Sequence, residues 1–180
     1  MRSWAVAAMV AAALAPGLAA AETAKPAKPD LTGALHAILA ARDDHFEPLK
    51  AGPWRDSDHM WRASLAPPDM HCIVENATDA RNDVPYVRVV CNLDDGTIAE
   101  AEAKRLMSDI RAAVAALEPG WAWTVESDIG GIGEALYAGP KPGSYLATLS
   151  YMHVGDESSV QIEVDDRPFR VGAEPQAADP

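Results

Sequence analysis

HCIVENATDARNDVPYVRVVC, from His71 to Cys91, contains both cysteines of the chain, and its reading decides the fold. The two flanks, MHCIVEN and YVRVVCNL, alternate apolar and polar residues, as half-buried strands do. ATDARNDVP between them is turn-forming material. A hairpin that sets Cys72 opposite Cys91 also sets Val74 opposite Val89, Met70 opposite Leu93 and Asn76 opposite Val87. On its other side Glu75 meets Arg88, Ile73 meets Val90 and His71 meets Asn92. Opposite charges then face each other across the strands, and a slip of one residue would set apolar against polar positions. The register that satisfies the side chains is the one that brings the sulfurs together, so a Cys72–Cys91 disulfide is expected. A loop of about 20 residues closed in this way restricts the unfolded chain by ~3 kcal/mol.

The competing chemistry for this stretch is weaker. His71 and Cys72 resemble half a metal site, but adjacent strand residues point to opposite faces. Neither C-x-x-C nor H-x-x-x-H spacing accompanies them, so no metal site and no cofactor are expected. Asn76-Ala77-Thr78 fits the glycosylation sequon and is taken as coincidence.

A disulfide implies an oxidising compartment, and the N-terminus supplies an address. Arg2 precedes an uncharged run from Ser3 to Ala21, broken by Pro16-Gly17, and Ala19 and Ala21 are small residues ahead of Glu22. This reads as a secretory signal peptide over residues 1–21, cleaved after Ala21, rather than a membrane anchor. The expected location is the periplasm or the medium. ETAKPAKPD (22–30) reads as a flexible linker and GAEPQAADP (172–180) as a disordered tail, leaving one domain over 31–171.

The whole chain has 15 Lys+Arg against 27 Asp+Glu, a formal charge of −12. Loss of the signal peptide would remove one cation and no acid. Such acidity disfavours nucleic acid and anionic lipid, and it speeds encounter with a basic partner.

Leu31, Leu35, Ile38 and Leu39 share one face of a helix that Asp30 or Thr32 can cap, and Pro48 forbids its continuation. Phe46 and Leu49 then read as anchors onto the core. A longer helix follows Gly96, with Thr97 and Glu100 as a capping box and an apolar stripe through Ala103, Met107, Ile110 and Val114. Glu100 and Lys104 add an i,i+4 pair, and Pro119-Gly120 ends the helix.

MWRASL, WAWTVES, SYLATLSYMHV and SSVQIEV read as strands. A four-residue connection, GDES, would set Val154 opposite Ser159 and Leu149 opposite Val164 on a dry face, with Thr148, Ser150, Gln161, Glu163 and Asp165 on the wet one. The predicted fold is α+β: a two-layer domain with an antiparallel sheet of about five to six strands and two helices on one face. This order of elements is similar to small secretion-chaperone-like folds, whose members bind other proteins. No internal repeat is apparent.

DDHFE and DSDH offer His45, Asp58 and His59 as candidate catalytic or metal-binding groups, although neither stretch has zinc-enzyme or EF-hand spacing. G-x-S-x-G and the phosphate-loop motifs are absent. His153 reads as a packed histidine with one hydrogen bond, and Trp121 and Trp123 as core. The Gly/Pro-rich stretch 128–143 reads as a long contact loop. Trp54, Asp79, Arg81, Ile132 and Tyr137 are the candidate binding-loop residues, Trp54 being the tryptophan expected to be exposed. The leading expectation is an exported, non-catalytic module that engages a protein or peptide, as inhibitor, chaperone or envelope accessory. The alternative is a small periplasmic hydrolase or metal-dependent enzyme using His45, Asp58 and His59.

Overall fold

The computed structural model describes residues 30–79, 83–127 and 133–169. The expectations for the signal peptide, for most of the linker and for the C-terminal tail lie outside these residues, as do Arg81 and Ile132.

Helix α1 (Leu31–Ala40) starts where Asp30 accepts a hydrogen bond from the Gly33 amide at 2.7 Å, satisfying a donor that the first helical turn leaves free. It buries Leu35, Ile38 and Leu39. Two short 3-10 turns follow, and between them His45 and Phe46 take left-handed backbone angles. That reversal drives Phe46, with no exposed surface, and Leu49 into the core as anchors.

Strands β1 (Lys50–Pro53), β2 (Met60–Ala63), β3 (Met70–Asp79) and β4 (Val84–Leu93) then form an antiparallel meander. The β3–β4 register is the one read from the side chains, from Met70–Leu93 through Cys72–Cys91 to Asn76–Val87. The cysteines form a disulfide with Cα atoms 4.1 Å apart, the close approach of a non-hydrogen-bonded pair. Pairing runs further than expected, through Ala77–Tyr86 and Thr78–Pro85 to Asp79–Val84, so much of the anticipated polar loop is ladder.

Strand β5 (Ile98–Ala99) leads into helix α2 (Glu100–Leu117), which buries Ala103, Met107, Ile110 and Val114. The expected capping box is not formed. Ile98 and Ala99 are held extended against Ser158 and Glu157, and the Thr97 hydroxyl donates to Glu157 at 3.1 Å instead of capping the helix. The Lys104–Glu100 pair does form, at 2.5 Å.

Strands β6 (Ala122–Ser127), β7 (Gly133–Gly139), β8 (Tyr145–Val154) and β9 (Glu157–Phe169) complete the sheet, in the order β1-β2-β3-β4-β9-β8-β7-β6 with β5 beside β9. The nine described strands exceed the five to six expected. The largest correction is β7, which occupies part of the stretch read as a contact loop. Its glycines are there because the backbone is crowded: a Cβ on Gly139 would lie 2.1 Å from the Ser144 carbonyl oxygen, and one on Gly133 2.2 Å from that of Tyr151.

The β8–β9 hairpin also differs from expectation. Its connection is two residues, Gly155-Asp156, which sets Val154 opposite Glu157 and Leu149 opposite Ile162. Gly155 supplies the positive φ of 67° that such a tight loop requires. The correction is a slip of two, so every side chain keeps its face.

One face of the sheet is apolar from edge to edge. Trp61, Val74, Val89, Val164, Ala147, Ala138 and Trp123 are successive cross-strand partners along a single row. This face joins the buried stripes of both helices in one core. Trp121 and Trp123 pack at its margin, beneath Arg42 and Arg111 respectively. The chain order is duplicated although the sequence shows no repeat. Each helix precedes a four-stranded meander, and the last strands of the two meanders, β4 and β9, pair antiparallel at the centre.

Candidate binding face

Side chains alternate across a strand, so a core on one face leaves the other to different residues. Three rows cross that second face, which neither described helix covers. The first runs Met60, Glu75, Arg88, Asp165. The second runs Arg62, Ile73, Val90, Glu163, Thr148, Tyr137, Thr124, and the third His71, Asn92, Gln161, Ser150, Ala135, Glu126.

The charged groups here are tied together. Arg88 Nε donates to Glu75, and its Nη1 donates to Glu163 at 3.2 Å. Burial alone would lower the pKa of Arg88, but the carboxylates of Glu163 and Glu75 outweigh it and raise the value. Asp165, cross-strand partner of Arg88, is 5% exposed, and its Oδ1 has no hydrogen-bond partner. Burial first, then the nearby charge of Glu163, push its pKa up to about 7, with Arg88 offsetting only part of the shift.

An irregularity in β9 sets up this arrangement. Two steps along β8, from Tyr145 to Ala147, correspond to five along β9, from Val164 to Phe169. Within the extra length Asp166 accepts from the Val87 amide at 3.1 Å and pairs with His45 Nδ1 at 2.6 Å. Arg167 donates to the Val84 carbonyl.

Phe169 returns to pair with Tyr145, and with Tyr137 they form an aromatic cluster whose centroids lie 5.5–6.3 Å apart. The Tyr145 hydroxyl donates to Thr124 at 2.7 Å and that of Tyr137 to Glu126 at 2.9 Å. Burial, followed by that bond to Glu126, raises the Tyr137 pKa to about 12. Tyr86 lies under Arg88 and Arg167, and burial raises its pKa as well.

The residues singled out from the sequence fall in several places. Tyr137 belongs to this face, on strand β7 rather than a loop. Trp54 is half-buried, not exposed, because its ring stacks on His71 at 6.0 Å with Arg55 beside it. Asp79 ends β3 beside the hairpin tip. His71 also pairs with Asp94 at 3.3 Å and shares no face with Cys72. His153 stacks on Tyr151, but its buried Nδ1 lacks the hydrogen bond expected of it.

His45 is spent on Asp166, while Asp58 and His59 pair with each other at the surface, with side chains 88% and 66% exposed. The three do not converge. Among the described residues, no group of three or more His, Cys, Asp or Glu is placed to hold a metal ion. Asp165, Glu163 and Tyr137's ring partners Tyr145 and Phe169 are not among the residues singled out from the sequence. The alternation of Glu163 and Asp165 marked their face, but nothing local marked the burial of Asp165.

A concavity of ≈ 260 Å³ lies between α2 and the sheet, lined by Lys104, Met107, Arg111, Glu134, Leu136 and Tyr151 among others. No helix among the described residues is long and apolar enough to cross a membrane. Comparison with protein-family models, with curated proteins and with solved structures gives no match in any of the three.

Proposed function

We propose that this protein is an exported, acidic, non-catalytic module that binds a protein or peptide through the uncovered face of its sheet. The observation that carries the proposal is the Tyr137–Tyr145–Phe169 cluster on that face, which also carries an arginine already oriented by two carboxylates. Aromatic rings and arginine are the residues that dominate binding energy at protein interfaces, and side chains already held in place lose less entropy on binding. The hydroxyls of Tyr137 and Tyr145 are bonded to Glu126 and Thr124, and buried Tyr145 backs the half-buried rings of Tyr137 and Phe169, which are thereby held firmly.

Export rests on the signal-like N-terminus, and the disulfide is of a kind that persists in oxidising compartments. Acidity favours a basic partner. An enzymatic role has less support. The carboxyl with the most shifted pKa, Asp165, has an Oδ1 out of contact with solvent, and a general acid must reach its substrate.

The test is capture from an envelope extract by the wild-type protein and by Phe169→Ala, over a salt series. A partner held at low salt, released as salt rises and weakened by the substitution supports the reading. Capture of nothing, or of partners indifferent to both salt and Phe169, overturns it.

A further inference from the structure

At the centre of the uncovered face one guanidinium serves three carboxyl groups. Glu75, Glu163 and Asp165 all surround Arg88, which stands directly across from Glu75 on one side and Asp165 on the other. Its guanidinium is bonded to Glu75 and Glu163, leaving Asp165 Oδ1 without a partner in a nearly closed position. A buried carboxylate without a partner is costly, so Asp165 holds its proton more strongly than an exposed aspartate.

Next to this cluster the register of the second row implies a dip. Thr148 separates Glu163 from Tyr137, one strand to either side, so the two longer side chains rise about 10 Å apart over a short one. Glu126 extends the acidic rim through its bond to the Tyr137 hydroxyl. Glu163, with 25% of its side chain exposed, is the accessible member of the triad.

Resting on the open-face reading above, we propose that this dip takes a lysine or arginine side chain of the partner. Its charge meets Glu163 and its stem lies against Tyr137. The incoming cation competes with Arg88 for Glu163. The Arg88–Glu163 bond gives way, Arg88 turns to Asp165 across the strand pair, and Asp165 releases its proton to water. Capture of the basic side chain and loss of that proton are then one linked event. The groups around Asp165 agree with this. Glu163 and Asp166 discourage its ionisation, Arg88 and Arg167 are the cations within reach, and Tyr86 beside them stays neutral because its own pKa is raised.

The experiment uses isotope-labelled full-length secreted protein titrated with N-acetyl-lysine amide, with N-acetyl-norleucine amide as the uncharged probe, followed by NMR. The lysine probe should shift Glu163, Thr148 and Tyr137 saturably, and the Asp165 carboxyl midpoint should fall as the probe binds. Its affinity should rise about tenfold from about pH 6 to about pH 8. Glu163→Gln should abolish binding. Thr148→Leu, which fills the dip and keeps every charge, should do the same if the glutamate variant folds poorly. Asp165→Asn, which cannot ionise, should hold the affinity at its weaker low-pH level at every pH. Equal shifts from both probes, or undiminished lysine binding in Thr148→Leu, would overturn the proposal. So would the absence of lysine binding while partner capture remains sensitive to Phe169→Ala, a result that leaves the open-face reading standing.

Discussion

Arg88 faces Asp165 across the β4–β9 pair at the centre of the sheet, yet its guanidinium is bonded to Glu75 and Glu163 and not to Asp165. The pair sits where the two halves of the molecule meet, so the ion cluster is built from strands on both sides of the junction. Fold and candidate site therefore depend on the same β4–β9 register.

Asp165 should make the protein less stable as pH rises. Its folded pKa of about 7 lies above the ordinary 3.8. Below the ordinary value the group is neutral in both folded and unfolded chains, and its stabilising contribution is complete. Between the two values the folded chain keeps a proton that the unfolded chain releases, so the contribution is lost as pH climbs through about 7. Urea unfolding of wild type and Asp165→Asn at about pH 4 and about pH 8 should show their difference moving in favour of the variant, by at most about 4 kcal/mol. A difference independent of pH would contradict the assignment.

Removing the crosslink with paired Cys72→Ala and Cys91→Ala substitutions should cost about 2–4 kcal/mol in chemical denaturation. The β3–β4 register should survive, because Val74–Val89 and Glu75–Arg88 specify it independently. Cross-strand contacts measured by NMR would reveal a slipped hairpin if the bridge alone held it.

Gly139→Ala should lower stability by about 2–3 kcal/mol or prevent folding, since the new methyl meets the Ser144 backbone. Gly120→Ala, where a Cβ would meet nothing within 4 Å, is the control and should change stability by less than about 1 kcal/mol. Similar thermal midpoints for the two variants would remove the argument that β7 is crowded against the β8 hairpin.

The legible parts of the fold were those with strong side-chain periodicity. The β3–β4 register was readable because charge, apolarity and sulfur all select it, and α1 because Asp30 and a leucine-isoleucine stripe agree. The loss of the Thr97 cap was not readable, since it depends on Glu157, 60 residues away. Strand β7 was hidden because Gly133 and Gly139 allow close backbone approach and Ala135 and Ala138 are small buried residues, and small residues carry no β signature. The GDES hairpin was read with a four-residue loop where glycine allows two.

For the candidate face, alternation placed Glu163 and Asp165 on the polar side of their strand. What made Asp165 unusual is tertiary: its position opposite an already committed Arg88, and the irregularity that brings Phe169 back over Tyr145. His45, Asp58 and His59 looked like a site because they are close in sequence. His45 instead ties the turn after α1 to Asp166.

The most direct measurement is photo-cross-linking in the producing cell. A photoreactive amino acid is placed at Glu126 or Ser150 on the uncovered face, and at Ala112 on the exposed side of α2. Discrete protein adducts from Glu126 and Ser150, with none from Ala112, are the expected result. Adducts from Ala112 alone, or none from either position on the uncovered face, would contradict the claim that this face is the binding surface.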